Sequence, residues 1–193
     1  MRIAALTLAT AIFASVSPNA QSLPQRRTTV SIQHELQRLP SYGVFDYLEF
    51  GIDRGKVTLS GYSYNGGLKS HAARAVKQIS GVDEVANHIE NLPASTFDDR
   101  IRWATFYRIY GDDVLSRYAP GGPAAVSDAI YQARRFPGAQ PFGQYPIHII
   151  VRNGHITLHG TVGNEMDKKM AGFRAREVGG VFSVDNKIVV DNS

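Results

Sequence analysis

The feature that most constrains this chain is that part of it occurs twice. Residues 55–90 align with residues 154–189 at a constant offset of 99 positions, and twelve of the 36 pairs are identical. They include Gly55/Gly154, Thr58/Thr157, Leu59/Leu158, Gly61/Gly160, Gly81/Gly180, Val85/Val184, Asn87/Asn186 and Ile89/Ile188. Self-similarity of that density, without a gap, means two copies of one small domain.

Each copy reads as α-β-β-α-β. In the first, Ile32, Leu36 and Leu39 recur at helical spacing behind Thr28 or Thr29 as the cap, and Pro40 stops the helix. In the second, Asp98 and Asp99 place negative charge at a helix start, and the run from Ile101 to Tyr110 stops at Gly111. A hairpin follows. Asn153-Gly154 is a strong type I′ turn signal. Centring the turn there pairs Val151 with Ile156, Ile149 with Leu158 and His148 with His159. The same register in copy one pairs Ile52 with Val57, Phe50 with Leu59, Glu49 with Ser60 and Asp53 with Lys56. The apolar pairs then share one face. Leu68, Ala72, Ala75, Val76 and Ile79 form the stripe of a second helix, which copy two keeps at Ala171, Ala175 and Val178 while Asp167 replaces Leu68. A last strand runs through Val85, Asn87 and Ile89, or Val184, Asn186 and Ile188. The fold class expected is α+β: two tandem domains, each a three-stranded sheet with two helices on one face.

The shape Gly-x-(Val/Ile)-Thr-Leu-x-Gly, then a helix, then Gly-Val-x-x-Val-x-Asn-x-Ile resembles the BON domain family. It stands here at Gly55–Gly61 with Gly81–Ile89, and at Gly154–Gly160 with Gly180–Ile188. Gly55, Gly61, Gly81, Asn87, Gly154, Gly160, Gly180 and Asn186 are its structural positions. The resemblance implies a non-enzymatic, exported module that associates with phospholipid and supports the cell envelope under osmotic or other stress.

The N-terminus agrees with export. Met1-Arg2 precedes an apolar run from Ile3 to Val16 and small residues up to Ala20, the pattern of a secretory signal peptide. The expected organisation is a signal peptide at 1–20, a flexible tail at 21–28, domain one at 29–92, a linker at 93–97 and domain two at 98–193. An insertion near 119–144, rich in Gly and Pro, departs from copy one and reads as either a short extra helix or a mobile loop. The expected location is the periplasm, as a protein soluble once the signal is removed.

Composition narrows the chemistry. The absence of cysteine excludes disulfides, thiolate metal sites and thiol catalysis, and a formal charge of +4 without a basic arm gives no nucleic-acid signature. No catalytic motif is recognisable, so no enzyme activity, cofactor or metal is expected. His148 and His159, with His155 near them, read either as an opposed pair of metal ligands or as polar residues on a solvated sheet face. Trp103, Phe106, Tyr107 and Tyr110, flanked by Arg102 and Arg108, read either as a buried helix face or as a membrane-interface stripe. Ligand contact is expected in copy two, at Trp103 and Arg108 and at Arg134, Arg135 and Phe136 of the insertion. The partners expected are an anionic membrane surface and envelope proteins; the competing reading is a protein- or glycan-binding scaffold, or a holdase, that binds no lipid.

Overall fold

The structure, a computed structural model, describes residues 23–135 and 139–191. The proposed signal peptide and Phe136 lie outside the described residues, as does the side chain of Arg134.

The first repeat runs α1 (Leu23–Gln37), β1 (Tyr47–Asp53), β2 (Lys56–Ser63), α2 (Gly67–Lys77), β3 (Glu84–Asn87) and β4 (Glu90–Asn91). The second runs α3 (Thr96–Tyr110), a 3-10 turn (Leu115–Tyr118), α4 (Gly122–Arg135), β5 (Ile147–Arg152), β6 (His155–Val162), α5 (Glu165–Arg176), β7 (Ser183–Asn186) and β8 (Val189–Val190). The α+β class and the tandem arrangement are as expected. Both hairpins adopt the expected register, with Phe50 opposite Leu59 and Ile149 opposite Leu158. Positive φ at Arg54 and Gly55, and at Asn153 and Gly154, gives each a primed turn, whose twist suits the flanking strands.

Each sheet has four strands rather than three. The expected last strand breaks after the motif asparagine, because that side chain takes two backbone bonds of its own. Asn87 Nδ2 donates to the Lys69 carbonyl at 2.8 Å while its Oδ1 accepts from Ile89 N at 3.1 Å. Asn186 repeats this with Lys168 and Ile188. The chain steps out of the ladder there and rejoins β2 or β6 as a separate two-residue parallel strand. The motif glycines Gly61 and Gly160 have an equally local cause. A Cβ on either would sit about 2 Å from the carbonyl oxygen of Tyr47 or Pro146, so only a bare backbone lets the strands approach.

One local expectation changes, and two others gain detail. α1 begins at Leu23, so part of the expected flexible tail is helical and Thr28 lies inside the helix rather than capping it. Thr28 is buried, and its hydroxyl donates to the Ser80 carbonyl. Ser95 caps α3, and Asp98 and Asp99 lie in its first turn as expected. The insertion resolves into a helix, α4, followed by a strap through residues 139–145, and Val126 and Tyr145 enter the core of repeat two.

Candidate functional site

Two short segments fasten the repeats together. Val44 and Phe45, which precede β1, are fully buried in the core of repeat two. Phe45 meets Tyr64, Trp103 and Phe106 edge-on at centroid distances of 5.6, 5.2 and 6.4 Å. Val44 N donates to the Pro141 carbonyl, and the Val44 carbonyl accepts from Ile149 N. Asp46 follows, with no exposed surface, and its carboxylate accepts from Gly43 N, Tyr64 N and Gln140 Nε2. Burial raises this carboxyl to about 6, against those hydrogen bonds. The insertion therefore supplies half of the clasp.

The histidine pair lies in the same junction. His148 and His159 are cross-strand neighbours, as expected. His148 is buried, however, and His159 half-buried. Tyr42 bonds His148 Nε2 at 3.2 Å, and the Tyr47 ring stacks on His159 at 3.9 Å. Burial lowers His148 to about 4 and also lowers His159, so both imidazoles are neutral at physiological pH. His155 is apart from them, exposed and bonded to Ser183. Among the described residues, no three His, Cys, Asp or Glu side chains gather as metal ligands.

Beside this junction lies a cleft of about 660 Å³ walled by both repeats. Leu36, Leu48 and Phe50 of repeat one and Tyr145 and Val189 of repeat two form its apolar surface; Glu49 and Lys187 are its charged groups.

The expected contact residues that are described have different settings. Phe106 and Tyr110 are fully buried, which resolves most of the α3 aromatic stripe as core, and Trp103 is half-buried against Phe45. Arg102 is buried too, bonding the Val151 carbonyl and Asp99. Tyr107 remains exposed. Arg108 is half-exposed and pairs with Glu177 at 3.8 Å. Arg135 is exposed on α4, its guanidinium 3.3 Å from the Tyr131 hydroxyl.

A different surface assembles at the hairpin end of repeat two. Phe97 and Phe182 lie 6.2 Å apart, with Phe182 70% exposed. They rest on the turn: a Cβ at Gly154 would meet the Phe182 ring at 2.7 Å and the Phe97 ring at 3.2 Å. The turn is itself pinned, because Asp98 accepts from both Asn153 N and Gly154 N. Arg100 sits 6.0 Å from the Phe97 centroid, and Arg100 and Arg108 border a groove of about 380 Å³ with Phe97 and Glu177. In repeat one, Asp83 stands where Phe182 does. Sequence reasoning missed this pair because its members lie 85 positions apart; the one signal was the swap of Asp83 for Phe182 within the repeat.

The BON domain model matches residues 51–93 and 133–192, more than half of the chain. No curated protein matches it. Two solved structures with similarity are of CdsD, a structural protein of the type III secretion system of Chlamydia trachomatis. One aligns at 15% identity and a TM-score of 0.27, covering 86% of this chain and 92% of that one. The other, a C-terminal domain, aligns at 15% identity and 0.26, covering 84% and 96%.

Proposed function

The chain belongs to the BON domain family, and from that premise we propose that it is a non-catalytic periplasmic module. It associates with anionic phospholipid surfaces and supports envelope integrity under stress. The observation that carries the lipid assignment is the solvent-facing Phe97–Phe182 pair with Arg100 and Arg108 beside it. Apolar rings enter the headgroup boundary, while each nearby guanidinium gains roughly 1 kcal/mol from an anionic surface. Asp83 at the equivalent position of repeat one repels that surface, so contact belongs to repeat two. Arg135, with Arg134 and Phe136, makes a second contact on the same repeat. Trp103 serves the junction instead.

No helix among the described residues is long and apolar enough to cross a membrane, and the lipid contact is peripheral. So few arginines make the binding weak and salt-sensitive. Co-sedimentation with vesicles of phosphatidylglycerol and phosphatidylcholine, compared with phosphatidylcholine alone, tests the reading. Recovery with the anionic vesicles at low salt, falling as salt rises, is expected. No recovery at low salt overturns it.

A further inference from the structure

The two sheets present the same edge, and the chain covers one of them far more completely than the other. In repeat two the Leu158 carbonyl turns to Lys187 N, away from β5, so the backbone groups of Ile147, Ile149 and Val151 point out from the sheet. All three residues are capped there. The Tyr110 hydroxyl bonds both the carbonyl and the N–H of Ile147, Ile149 N donates to the Val44 carbonyl at 2.8 Å, and the Val151 carbonyl accepts from Arg102.

Repeat one has the same geometry. The Leu59 carbonyl turns to His88 N, so Leu48, Phe50 and Ile52 are the outward-facing residues of β1. Tyr42 and Leu48 both line the cleft at the start of this edge. Among the described residues, no hydrogen bond crosses this edge to Phe50 or Ile52. The edge opens instead on the 660 Å³ cleft, with Leu48 and Phe50 half-buried along it.

We infer that the open edge of β1 is a docking site for an extended segment of a partner protein, added to the sheet as a further strand. The equivalent edge in repeat two already takes main chain from the other repeat, through the Ile149 N–H donating to the Val44 carbonyl. The cleft continues that interface through Tyr42, Tyr47 and His148. Glu49 and Lys187 give its walls no net charge. A segment that alternates apolar with uncharged polar side chains fits, the apolar ones facing Leu36, Leu48 and Phe50. Exposed edges of this kind are ready templates for pairing. The inference stands independently of lipid contact, which uses the other end of repeat two.

The test is amide exchange by NMR on the full chain, with synthetic peptides enriched from a random heptapeptide library. The Phe50 and Ile52 amides are expected to exchange without protection in the free protein, in contrast to Ile149, and to slow about tenfold or more with saturating peptide. Phe50→Pro removes the outward N–H without touching the β1–β2 ladder and weakens peptide binding about tenfold, whereas Phe50→Leu keeps the N–H and binds as the parent does. If Phe50→Pro fails to fold, the exchange measurement on the unaltered chain decides. The inference is overturned if no peptide is enriched, if these amides are already protected in the free protein, or if peptide protects other residues. Folded Phe50→Pro binding like the parent overturns it too. So does protection of the same amides by self-association or by phosphatidylglycerol vesicles without peptide.

Discussion

Gln140 donates from Nε2 to the Asp46 carboxylate at 2.6 Å, joining the end of the repeat-two insertion to the segment that leads into the first strand of repeat one. Neither residue is accessible to solvent to any useful extent. Truncating Asp46 to Ala strands the Gly43 and Tyr64 N–H groups and the Gln140 amide in a dry junction, at a cost of about 2–4 kcal/mol. Chemical unfolding of Asp46→Ala and Gln140→Ala checks this, and the double variant is expected to be less than additive. Deleting the insertion outright is likewise expected to destabilise the protein, since it removes Val126 and Gln140 together.

The junction also sets a pH signature. Asp46 is raised to about 6, so between pH 4 and 6 the folded chain holds a proton that the unfolded chain has released; its contribution to stability falls as pH rises through that window. His148 is lowered to about 4, so between pH 6.5 and 4 the unfolded chain binds a proton that the folded chain refuses; this contribution falls as pH falls. Each shift of about two units corresponds to roughly 3 kcal/mol, and the two oppose each other. Asp46→Asn should therefore lose stability on acidification from pH 7 to 4, and His148→Gln should gain it. Urea unfolding followed by fluorescence of Trp103 measures both; slopes of the same sign refute the assignment.

Phe45 is the apolar counterpart of this clasp. Replacing it with Ala removes three edge-on ring contacts and leaves a cavity between the repeats, for a loss of about 3–5 kcal/mol. Trp103, the chain's single tryptophan, loses one of its two ring neighbours, so its emission should shift to the red in the native state.

A carboxylate is buried again where the second repeat departs from the first. Asp167 occupies the place of Leu68 and accepts from Arg117, Tyr118 and Asn164, while its N–H donates back to Asn164. Asp167→Ala leaves the Tyr118 and Asn164 donors without this acceptor and should cost about 2 kcal/mol by thermal or urea unfolding. Asp167→Leu, which restores the residue of repeat one, should not recover the parent's stability.

What could be read in the sequence was local or repeated. The hairpin registers followed from Asn153-Gly154 and from alternation, and the repeat carried each inference from one copy to the other. The junction was hidden because its members are remote in sequence: Phe45 reads as an ordinary strand-entry residue, and Asp46 as surface charge, until Gln140 is placed beside it. Asp167 looked like a flaw in an apolar stripe because its donors, Arg117 and Tyr118, come from a segment absent in repeat one. The α3 aromatics had two faces to choose between, and only the arrival of Phe45 from the other repeat decides which is inside. The contact now proposed keeps Arg108 and the Arg134–Phe136 segment from the one expected from sequence, but its leading aromatic pair comes from a helix start and a turn that no helical spacing connects.

Vesicle co-sedimentation of the parent beside Phe97→Ser/Phe182→Ser, Arg100→Ala/Arg108→Ala and Arg134→Ala/Arg135→Ala tests the central claim most directly. On phosphatidylglycerol-containing vesicles at low salt, the parent is expected to sediment and the phenylalanine pair variant to stay in solution. The Arg100/Arg108 variant should bind about tenfold more weakly, and the Arg134/Arg135 variant less severely so, with all four equally folded. A phenylalanine pair variant that sediments as the parent does would contradict the account.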